Sequence, residues 1–168
     1  MYHKFILLIV SVSVMLVGCT DMQKPERSEI ERAKELIASD KDRINISKTV
    51  WKELLPEDRY NVLFEKGTEK AFTGDLLEEN RSGTYVTAGC KQPVFRSEDK
   101  FKSGTGWPSF TKPIKGAIEL KEDNKFGLKR IEVVSSRCSE HLGHVFDDGP
   151  KKNRKRYCMN SLALEFIP

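Results

Sequence analysis

The sequence has few cysteines, little net charge and no hydrophobic run long enough to suggest a protein with several membrane spans. Its 168 residues include four cysteines, 29 Lys and Arg, and 25 Asp and Glu, which give a formal net charge of +4. Four cysteines are too few for a small disulfide scaffold, and a charge this small and evenly mixed does not require a nucleic-acid partner. Internal repeats are absent, and the composition excludes collagen, coiled coils, mucins and long disordered tails. We therefore expect one domain of ordinary size that folds without a disulfide framework.

The first twenty residues have the pattern of a secretory signal. Lys4 precedes an uncharged stretch, Phe5 to Val17, that is too short to span a bilayer comfortably but suits the apolar region of a signal peptide. Leu16-Val17-Gly18-Cys19 resembles the lipobox of bacterial lipoproteins, in which the signal is cut before the cysteine and the cysteine receives lipid. A signal anchor with an accidental cysteine is the alternative. We expect a lipoprotein signal peptide over 1–18 and a membrane-anchored domain facing the periplasm or the cell exterior.

Residues 19–46 are expected to form a lipid-anchored tether ahead of the folded domain, which we place at 47–168. The tether is mostly charged, and its few apolar residues have helical spacing but form only a thin stripe. Those residues are Ile30, Ala33, Leu36 and Ile37. This pattern predicts a short surface helix with no role in the core.

The start of the domain carries signals for two further short helices. Ser47 is a candidate N-cap for a helix that Pro56 ends. The stretch from Asp58 to Phe64 adds another helical turn, which Gly67 closes.

Glycine and proline recur every few residues in the second half of the chain, which is typical of short strands joined by turns. The runs Thr84–Thr87, Ile131–Ser135 and Tyr157–Ile167 are predicted as strands. Alternation along the last run would place Cys158 and Asn160 on one face, followed by three apolar residues that anchor the strand in the core.

Cys158 is a candidate nucleophile. Five of the six residues 151–156 are cationic, and a nearby positive charge favours the thiolate, which is the reactive form of cysteine. By itself, however, a cysteine at the start of a strand is more often a packing residue, and a basic run is more often a solvated loop.

The segment Ser103–Phe110 is the second candidate region. Glycines flank Thr105, and Pro108 biases Trp107 towards an extended backbone. An indole held in this way can form the wall of a small apolar pocket. A core tryptophan in a tight loop is the alternative.

The segment His141–Pro150 contains two of the three histidines of the chain. His141 and His144 can orient a substrate oxygen or pass a proton. A structural role for His141 is the alternative. A metal site is less convincing, because no third or fourth ligand lies nearby in the sequence.

These regions together resemble the B-type methionine-R-sulfoxide reductases. The matching blocks are Gly67–Gly74, Ser103–Phe110, His141–Pro150 and Arg156–Ser161, in order along a span from about residue 48 to 168. The resemblance implies a mainly β fold with two antiparallel sheets and short helices at the amino end. It also implies thiol-dependent reduction of methionine-R-sulfoxide in proteins or peptides, a repair activity exercised here outside the cytosol.

The resemblance assigns a role to each polar candidate. The cysteine at the position of Cys158 attacks the sulfoxide sulfur and is left as a sulfenic acid. Arg156 is expected to favour the thiolate and to bind the polar side of the substrate. His144 and Asn160 match the residues that orient the sulfoxide oxygen, directly or through water, and His141 matches a supporting residue.

The methyl group of the substrate and the recycling step involve other positions. Trp107 matches the wall of the methyl pocket, and Phe110 is expected to support it with apolar contact. Many family members carry a cysteine where Thr105 stands, and that cysteine attacks the sulfenic acid. A hydroxyl cannot do this, so we expect an external reductant, either a thioredoxin-like protein or a small thiol.

Many family members also bind structural zinc through two Cys-x-x-Cys pairs. The corresponding pairs here are Thr87 with Cys90 and Ser135 with Cys138, so half of the ligands are missing and we expect no zinc. The two remaining cysteines are expected to form a disulfide in an oxidising compartment. The alternative is that one of them resolves the sulfenic acid on Cys158.

Two other classes of protein compete with the reductase interpretation. A binding lipoprotein would keep the pocket without turnover, but Cys158, His144 and Asn160 are all present. Another thiol enzyme, such as a disulfide oxidoreductase, would need a second cysteine where Thr105 stands. The expected partners are oxidised proteins or peptides, a thioredoxin-like reductant and a membrane reached through lipid on Cys19, with no nucleic acid.

Overall fold

The computed structural model describes residues 24–124, 127 and 129–168. The signal peptide and the lipidated Cys19 expected from the sequence lie outside these residues. Within them, three short helices precede nine strands that form two antiparallel sheets. The mainly β fold with short amino-terminal helices is therefore confirmed. None of the helices in this part of the chain is both long and apolar enough to cross a bilayer.

The three helices are α1 (Arg27–Ala38), α2 (Lys48–Leu54) and α3 (Glu57–Glu65). Ser47 caps α2 as predicted, because its hydroxyl accepts a hydrogen bond from the Val50 amide. Pro56 precedes α3 and acts as its N-cap residue. The helix ends at Glu65, and Lys66 adopts the left-handed backbone that was expected at Gly67, whose amide instead donates to the Asn61 carbonyl.

The first helix packs more closely against the domain than its thin apolar stripe predicts. Leu36 and Ile37 contact a hydrophobic cluster that is centred on Ile44, Trp51 and Cys90. The Arg137 guanidinium fixes the same region by donating hydrogen bonds to five backbone carbonyls, those of Leu36, Ile37, Ser39, Lys41 and Cys90. The expectation that this helix has no role in the core is wrong, because contacts distant in sequence supplement its own stripe.

Nine strands build the two sheets. In chain order they are β1 (Thr84–Thr87), β2 (Pro93–Arg96), β3 (Lys100–Phe101), β4 (Ser109–Phe110), β5 (Ile118–Asp123), β6 (Arg130–Ser135), β7 (His141–Phe146), β8 (Arg156–Met159) and β9 (Leu164–Ile167). The smaller sheet has the order β2-β1-β9, and the larger has the order β3-β4-β8-β7-β6-β5. The predicted strand Thr84–Thr87 is β1, and the predicted strand Ile131–Ser135 is β6, which begins one residue earlier, at Arg130.

The predicted strand Tyr157–Ile167 is wrong, because the chain leaves one sheet at Met159 and enters the other at Leu164. A 3-10 turn over Ser161–Ala163 separates the two strands. The Glu69 carboxylate accepts the backbone N–H groups of Ser161 and Leu162 at 2.7 and 2.8 Å. These amides bond to a side chain rather than to a neighbouring strand, so the predicted single face from Cys158 onwards does not exist.

The main hydrophobic core contains residues from both sheets. Phe95 of β2 stacks on Phe110 of β4, with ring centroids 4.4 Å apart. Tyr85 of β1 meets the same Phe110 ring edge-on at 4.9 Å. This packing holds β4 in place beside β8, its neighbour in the larger sheet, which carries Cys158.

Candidate active site

Cys158 lies on β8, in the interior of the larger sheet. It is paired with Ser109 of β4 on one side and with His144 of β7 on the other. Directly opposed residues of an antiparallel pair project from the same face of a sheet. The three side chains therefore share one face, and the partly exposed Cys158 is the free cysteine in the described part of the chain.

A small cavity of about 80 Å³ contains this cysteine. Its lining comprises Thr68, Trp107, Arg130, Gly143, His144, Phe146, Cys158, Met159 and Asn160. The volume admits only a few heavy atoms, which suits the end of one side chain rather than a large cofactor. Hollows of about 560 and 500 Å³ lie elsewhere on the surface, but neither is lined by a cysteine or a histidine. We therefore place the chemistry at the smaller cavity.

Trp107 forms one wall of the cavity, where the sequence places it. Its indole Nε1–H donates to the Glu69 carbonyl at 3.2 Å, which fixes the orientation of the ring. Gly106 has a φ of +91°, and a Cβ on it would lie 2.9 Å from the Phe72 ring. Only glycine fits this close approach, which positions the Trp107 backbone. Phe110, by contrast, is fully buried in the core and does not line the cavity.

Gly143 brings the two site strands close together. A Cβ at this position would lie 2.1 Å from the Cys158 carbonyl oxygen, so any side chain here would collide with the β8 backbone. The glycine between the two histidines therefore allows β7 to pack directly against β8, the strand that carries Cys158.

Burial raises the pKa of the Cys158 thiol, which is the opposite of what the basic run predicts. The Thr105 hydroxyl, 3.9 Å from Sγ, and the Arg156 charge both favour the thiolate but do not overcome desolvation. Arg156 is the residue of the cationic run that acts on the Cys158 pKa, whereas Lys155 pairs with Asp147. In the unliganded site Cys158 is therefore a thiol at neutral pH.

Arg156 is fixed by a carboxylate and also interacts with the Cys158 sulfur through its charge and a hydrogen bond, both of which favour the thiolate. Its guanidinium forms a two-pronged ion pair with Asp148, with Nε and Nη2 at 2.8 and 2.9 Å from the carboxylate oxygens. It also lies over the Phe146 ring, 4.5 Å from the centroid. The hydrogen bonds to Asp148 raise the pKa of Arg156. Arg156 thus holds Phe146, a wall of the cavity, and places one positive charge behind Cys158.

His144 is held by a carboxylate. Its Nε2 lies 2.8 Å from Oδ2 of Asp123, and Nη2 of Arg130 donates to the same oxygen at 2.8 Å. Burial lowers the pKa of His144, although Asp123 opposes this shift. The ring is therefore neutral at neutral pH, and it faces the cavity.

His141 occupies a position behind His144. The two rings meet edge to face with centroids 5.3 Å apart. The Nδ1 atom of His141 lies 2.8 Å from Oε1 of the buried Glu132, which also receives a 2.6 Å hydrogen bond from Lys66. Burial lowers the pKa of His141. Since His141 does not line the cavity, its place agrees with a supporting role.

Asn160 lines the cavity, but both of its polar atoms hold the backbone. Its Oδ1 accepts from the Glu69 amide and its Nδ2 donates to the Leu142 carbonyl, each at 3.1 Å. Only the second Nδ2 hydrogen is left for the oxygen of a substrate. Asn160 therefore joins the β7 backbone to the loop that also holds Trp107.

Charged residues on β5 and β6 were missed by sequence reasoning. Asp123, Arg130 and Glu132 hold the two histidines, and all three belong to one hairpin. The available signal was Glu132, a charged residue inside the predicted strand Ile131–Ser135, because a buried charge requires a partner. The partners of the three residues, however, become evident only when β5, β6 and β7 pair.

Cys90 and Cys138 lie apart from the cavity and are joined in a disulfide. Thr87 Oγ1 lies 3.3 Å from the Cys90 sulfur, and Ser135 Oγ lies 3.1 Å from the Cys138 sulfur. The four positions that resemble the family's zinc ligands thus converge on one point. The Glu140 carboxylate completes a group of possible metal ligands with the two sulfurs, and burial raises its pKa to about 7.

The residues at this disulfide do not fit structural zinc. With both sulfurs bonded to each other, the group offers two hydroxyls and one carboxylate, and it offers no thiolate. A resolving role for Cys90 or Cys138 would likewise require that the disulfide first be opened.

Comparisons with known proteins agree with this arrangement. The SelR domain family matches residues 55–168, which include every residue lining the cavity and exclude α1. A protein of Methanosarcina mazei is 49% identical over 126 residues, covering 74% of this chain and 90% of the relative. A protein of Leptospira interrogans is 46% identical over 124 residues, covering 73% and 95%. Both carry the name peptide methionine sulfoxide reductase MsrB. The chain described here therefore belongs to the MsrB family.

Proposed function

We propose that this protein reduces methionine-R-sulfoxide in proteins or peptides to methionine, with Cys158 as the nucleophile. The observation that carries the proposal is the free cysteine in a cavity of about 80 Å³ between Trp107 and His144. Relatives of known name in the same family support the activity. A flexible methionine sulfoxide side chain can enter a cavity of this size from an oxidised protein surface.

The first half of the reaction transfers one oxygen atom. The substrate methyl group packs against Trp107, and the sulfoxide oxygen turns towards His144. The Cys158 sulfur attacks the sulfoxide sulfur and forms a transient S–S bond. The oxygen then moves to the Cys158 sulfur as the S–O and S–S bonds to the substrate sulfur break, which leaves Cys158 as a sulfenic acid. The substrate sulfur gains two electrons and the Cys158 sulfur loses two, so methionine leaves without a further reductant.

The second half of the reaction needs a thiol from outside. An external thiol attacks the sulfenic acid, releases water and forms a mixed disulfide, which a second thiol opens to restore Cys158. A thioredoxin-like dithiol protein or a small thiol can supply both equivalents. The Thr105 hydroxyl lies 3.9 Å from the Cys158 sulfur and cannot form a disulfide with it.

The cellular setting is part of the same proposal. A signal peptide over 1–18 and lipid on Cys19 would anchor the domain to a membrane, facing the periplasm or cell exterior. A disulfide between Cys90 and Cys138 in place of structural zinc suits an oxidising compartment. Mass spectrometry of the mature protein tests this. We expect a chain that begins at Cys19 and carries acyl groups, whereas an unprocessed amino terminus would contradict it.

A stereospecific assay tests the reaction. A peptide containing both sulfoxide epimers is incubated with the enzyme and dithiothreitol, and the remaining epimers are separated. We expect the R form alone to be consumed. No consumption of either epimer would leave only the binding-module alternative, and repeating the assay with a thioredoxin system identifies the reductant.

Replacing Thr105 tests the recycling step. In Thr105→Cys the introduced thiol can reach Cys158, so one turnover should end in an internal disulfide instead of a persistent sulfenic acid. Thr105→Ser is the matched control, since it keeps the hydroxyl. An internal disulfide in the wild-type protein after one turnover would contradict the need for an external thiol.

A further inference from the structure

A buried carboxylate stands directly behind the cavity-lining histidine. Asp123 closes β5 and is only 8% exposed. Its Oδ2 lies 2.8 Å from His144 Nε2 and also accepts a hydrogen bond from Arg130, its cross-strand partner on β6. Two strands outside the β7–β8 pair therefore contribute to the geometry of the reacting ring.

We propose that Asp123 is a positioning residue of the reductase, because it accepts the Nε2 proton of His144 and leaves Nδ1 to exchange a proton with Cys158 and the sulfoxide oxygen. Arg130 holds Asp123 in its ionised, accepting form. The inference rests on the proposed function and extends it to a sulfur–imidazole–carboxylate relay. Asp123 does not itself line the cavity, so it acts through His144.

The hydrogen-bond partners decide which nitrogen carries the proton. A carboxylate that is ion-paired with an arginine has no proton to give, and an imidazole nitrogen that contacts it must donate. Neutral His144 is therefore protonated on Nε2 and can accept a proton only at Nδ1. The same logic orients the histidine of an acyl-transfer triad, where the carboxylate holds the ring and stabilises its charged form.

The charges around His144 leave its ring neutral but ready to be protonated. Asp123 and Glu132, the latter opposite His144 on β6, favour the imidazolium, whereas Arg130 and burial oppose it. The His141 ring contacts the His144 ring, and burial lowers the pKa of His141 as well. Cys158 lies opposite His144 on β8. Burial prevails, so His144 accepts a proton at neutral pH while Asp123 remains beside it to stabilise the charge.

Such an acceptor is needed because the nucleophile begins as a thiol. Burial raises the pKa of Cys158, so its proton must leave as the sulfur attacks. In the relay, the S–H proton moves to Nδ1 and the sulfur attacks the sulfoxide sulfur. The imidazolium returns the proton to the oxygen as this oxygen moves to Cys158 and both bonds to the substrate sulfur, the S–O bond and the transient S–S bond, break. No net proton is consumed, and the oxygen remains on Cys158 as S–OH.

The tautomer of His144 can be read directly in the resting enzyme. Nitrogen-15 NMR of the wild-type protein distinguishes a ring protonated on Nε2 from one protonated on Nδ1. We expect the neutral ring to be protonated on Nε2. A neutral ring protonated on Nδ1 would overturn the inference, and this readout requires neither a variant nor turnover.

The variant Asp123→Asn tests the kinetic consequence. We expect single-turnover methionine formation to fall by about 10² to 10⁴-fold with little change in substrate binding, since an amide accommodates the wrong tautomer. Loss of the negative charge lowers the pKa of His144, so the acid limb of the pH–rate profile should move to lower pH. A purely structural role would not move that limb.

Glu122→Gln is the matched control, because Glu122 is the exposed neighbour on the same strand. We expect it to keep the wild-type rate and pH profile, and circular dichroism should show both variants folded. An unchanged rate and an unchanged acid limb in Asp123→Asn would overturn the relay. An inactive wild-type enzyme would instead overturn the proposed function, so the two failures are distinguishable.

Discussion

The protein has two sulfur sites whose surroundings give cysteine two different fates. At the cavity, Cys158 is partly exposed, lies opposite His144 on the neighbouring strand, and has no other cysteine among the lining residues. At the second site, Cys90 is fully buried and bonded to Cys138, and its surroundings combine the Ile44 and Trp51 side chains with hydroxyls and the Glu140 carboxylate. In the proposed function, access and a proton acceptor make the first sulfur reactive, whereas the second pair is already joined in a buried disulfide.

Removing the nucleophile should give the largest effect. Cys158→Ser keeps the shape of the side chain but replaces the sulfur by a far weaker nucleophile, so we expect reduction of R-sulfoxide to fall by about 10³-fold or more. The free energy of unfolding should change little, because the residue is partly exposed. Activity is measured by the epimer assay and stability by urea unfolding. Residual activity near that of the wild type would assign the chemistry to another residue.

Removing the disulfide should give the opposite outcome. The bond spans 48 residues of chain, for which loop-closure entropy predicts a contribution of about 4 kcal/mol to the free energy of unfolding. In the double variant Cys90→Ser/Cys138→Ser, we expect the free energy of unfolding, measured in urea, to fall by most of this amount. The single-turnover rate at Cys158 should stay the same. An equal loss of rate in the folded variant would show that the two sulfur sites are not independent.

The buried Glu140 should make the second site sensitive to pH. Burial raises its pKa from 4.5 to about 7, so the folded state holds this proton more tightly than the unfolded state does. This difference contributes on the order of 3 kcal/mol to the free energy of unfolding at pH values below the pKa of Glu140 in the unfolded chain. The contribution is lost as the pH rises through about 7, the pKa in the folded state.

Unfolding in urea between pH 4.5 and 8 measures this contribution. Relative to Glu140→Gln, which cannot ionise, the wild-type protein should lose stability as the pH rises. Subtracting the two curves removes the effect of all other groups. A flat difference curve would contradict a raised pKa at this site.

A smaller effect is expected where α1 joins the second site. Arg137 precedes Cys138 and donates hydrogen bonds to carbonyls of the α1 region, including Leu36 and Ser39. Arg137→Ala should cost about 1–3 kcal/mol and should speed amide hydrogen exchange in α1 without changing the rate at Cys158. Arg137→Lys is the control for charge alone. Unchanged exchange in α1 would show that the helix is held by its apolar contacts.

Sequence reasoning located the residues whose meaning lies in local motifs. Cys158, Trp107 and His144 all line the cavity, and the two cysteines expected to pair are paired. The mainly β fold also followed from the spacing of turn residues and from the family resemblance.

What the sequence did not reveal depends on contacts between distant segments. The break after Met159 comes from Glu69, whose carboxylate binds amides about ninety residues further along the chain. The Asp123–His144 pair depends on the β5–β6–β7 pairing, and the raised pKa of Cys158 depends on burial that a basic run cannot indicate.

The most direct test of the account is a single turnover without any reductant. The protein is mixed with excess R-sulfoxide peptide, the methionine formed is counted, and the oxidised residue is found by trapping sulfenic acid and mass spectrometry. The account predicts one methionine per chain and a sulfenic acid on Cys158, with Cys90 and Cys138 still bonded to each other. No methionine, or oxygen found on any other residue, would contradict it.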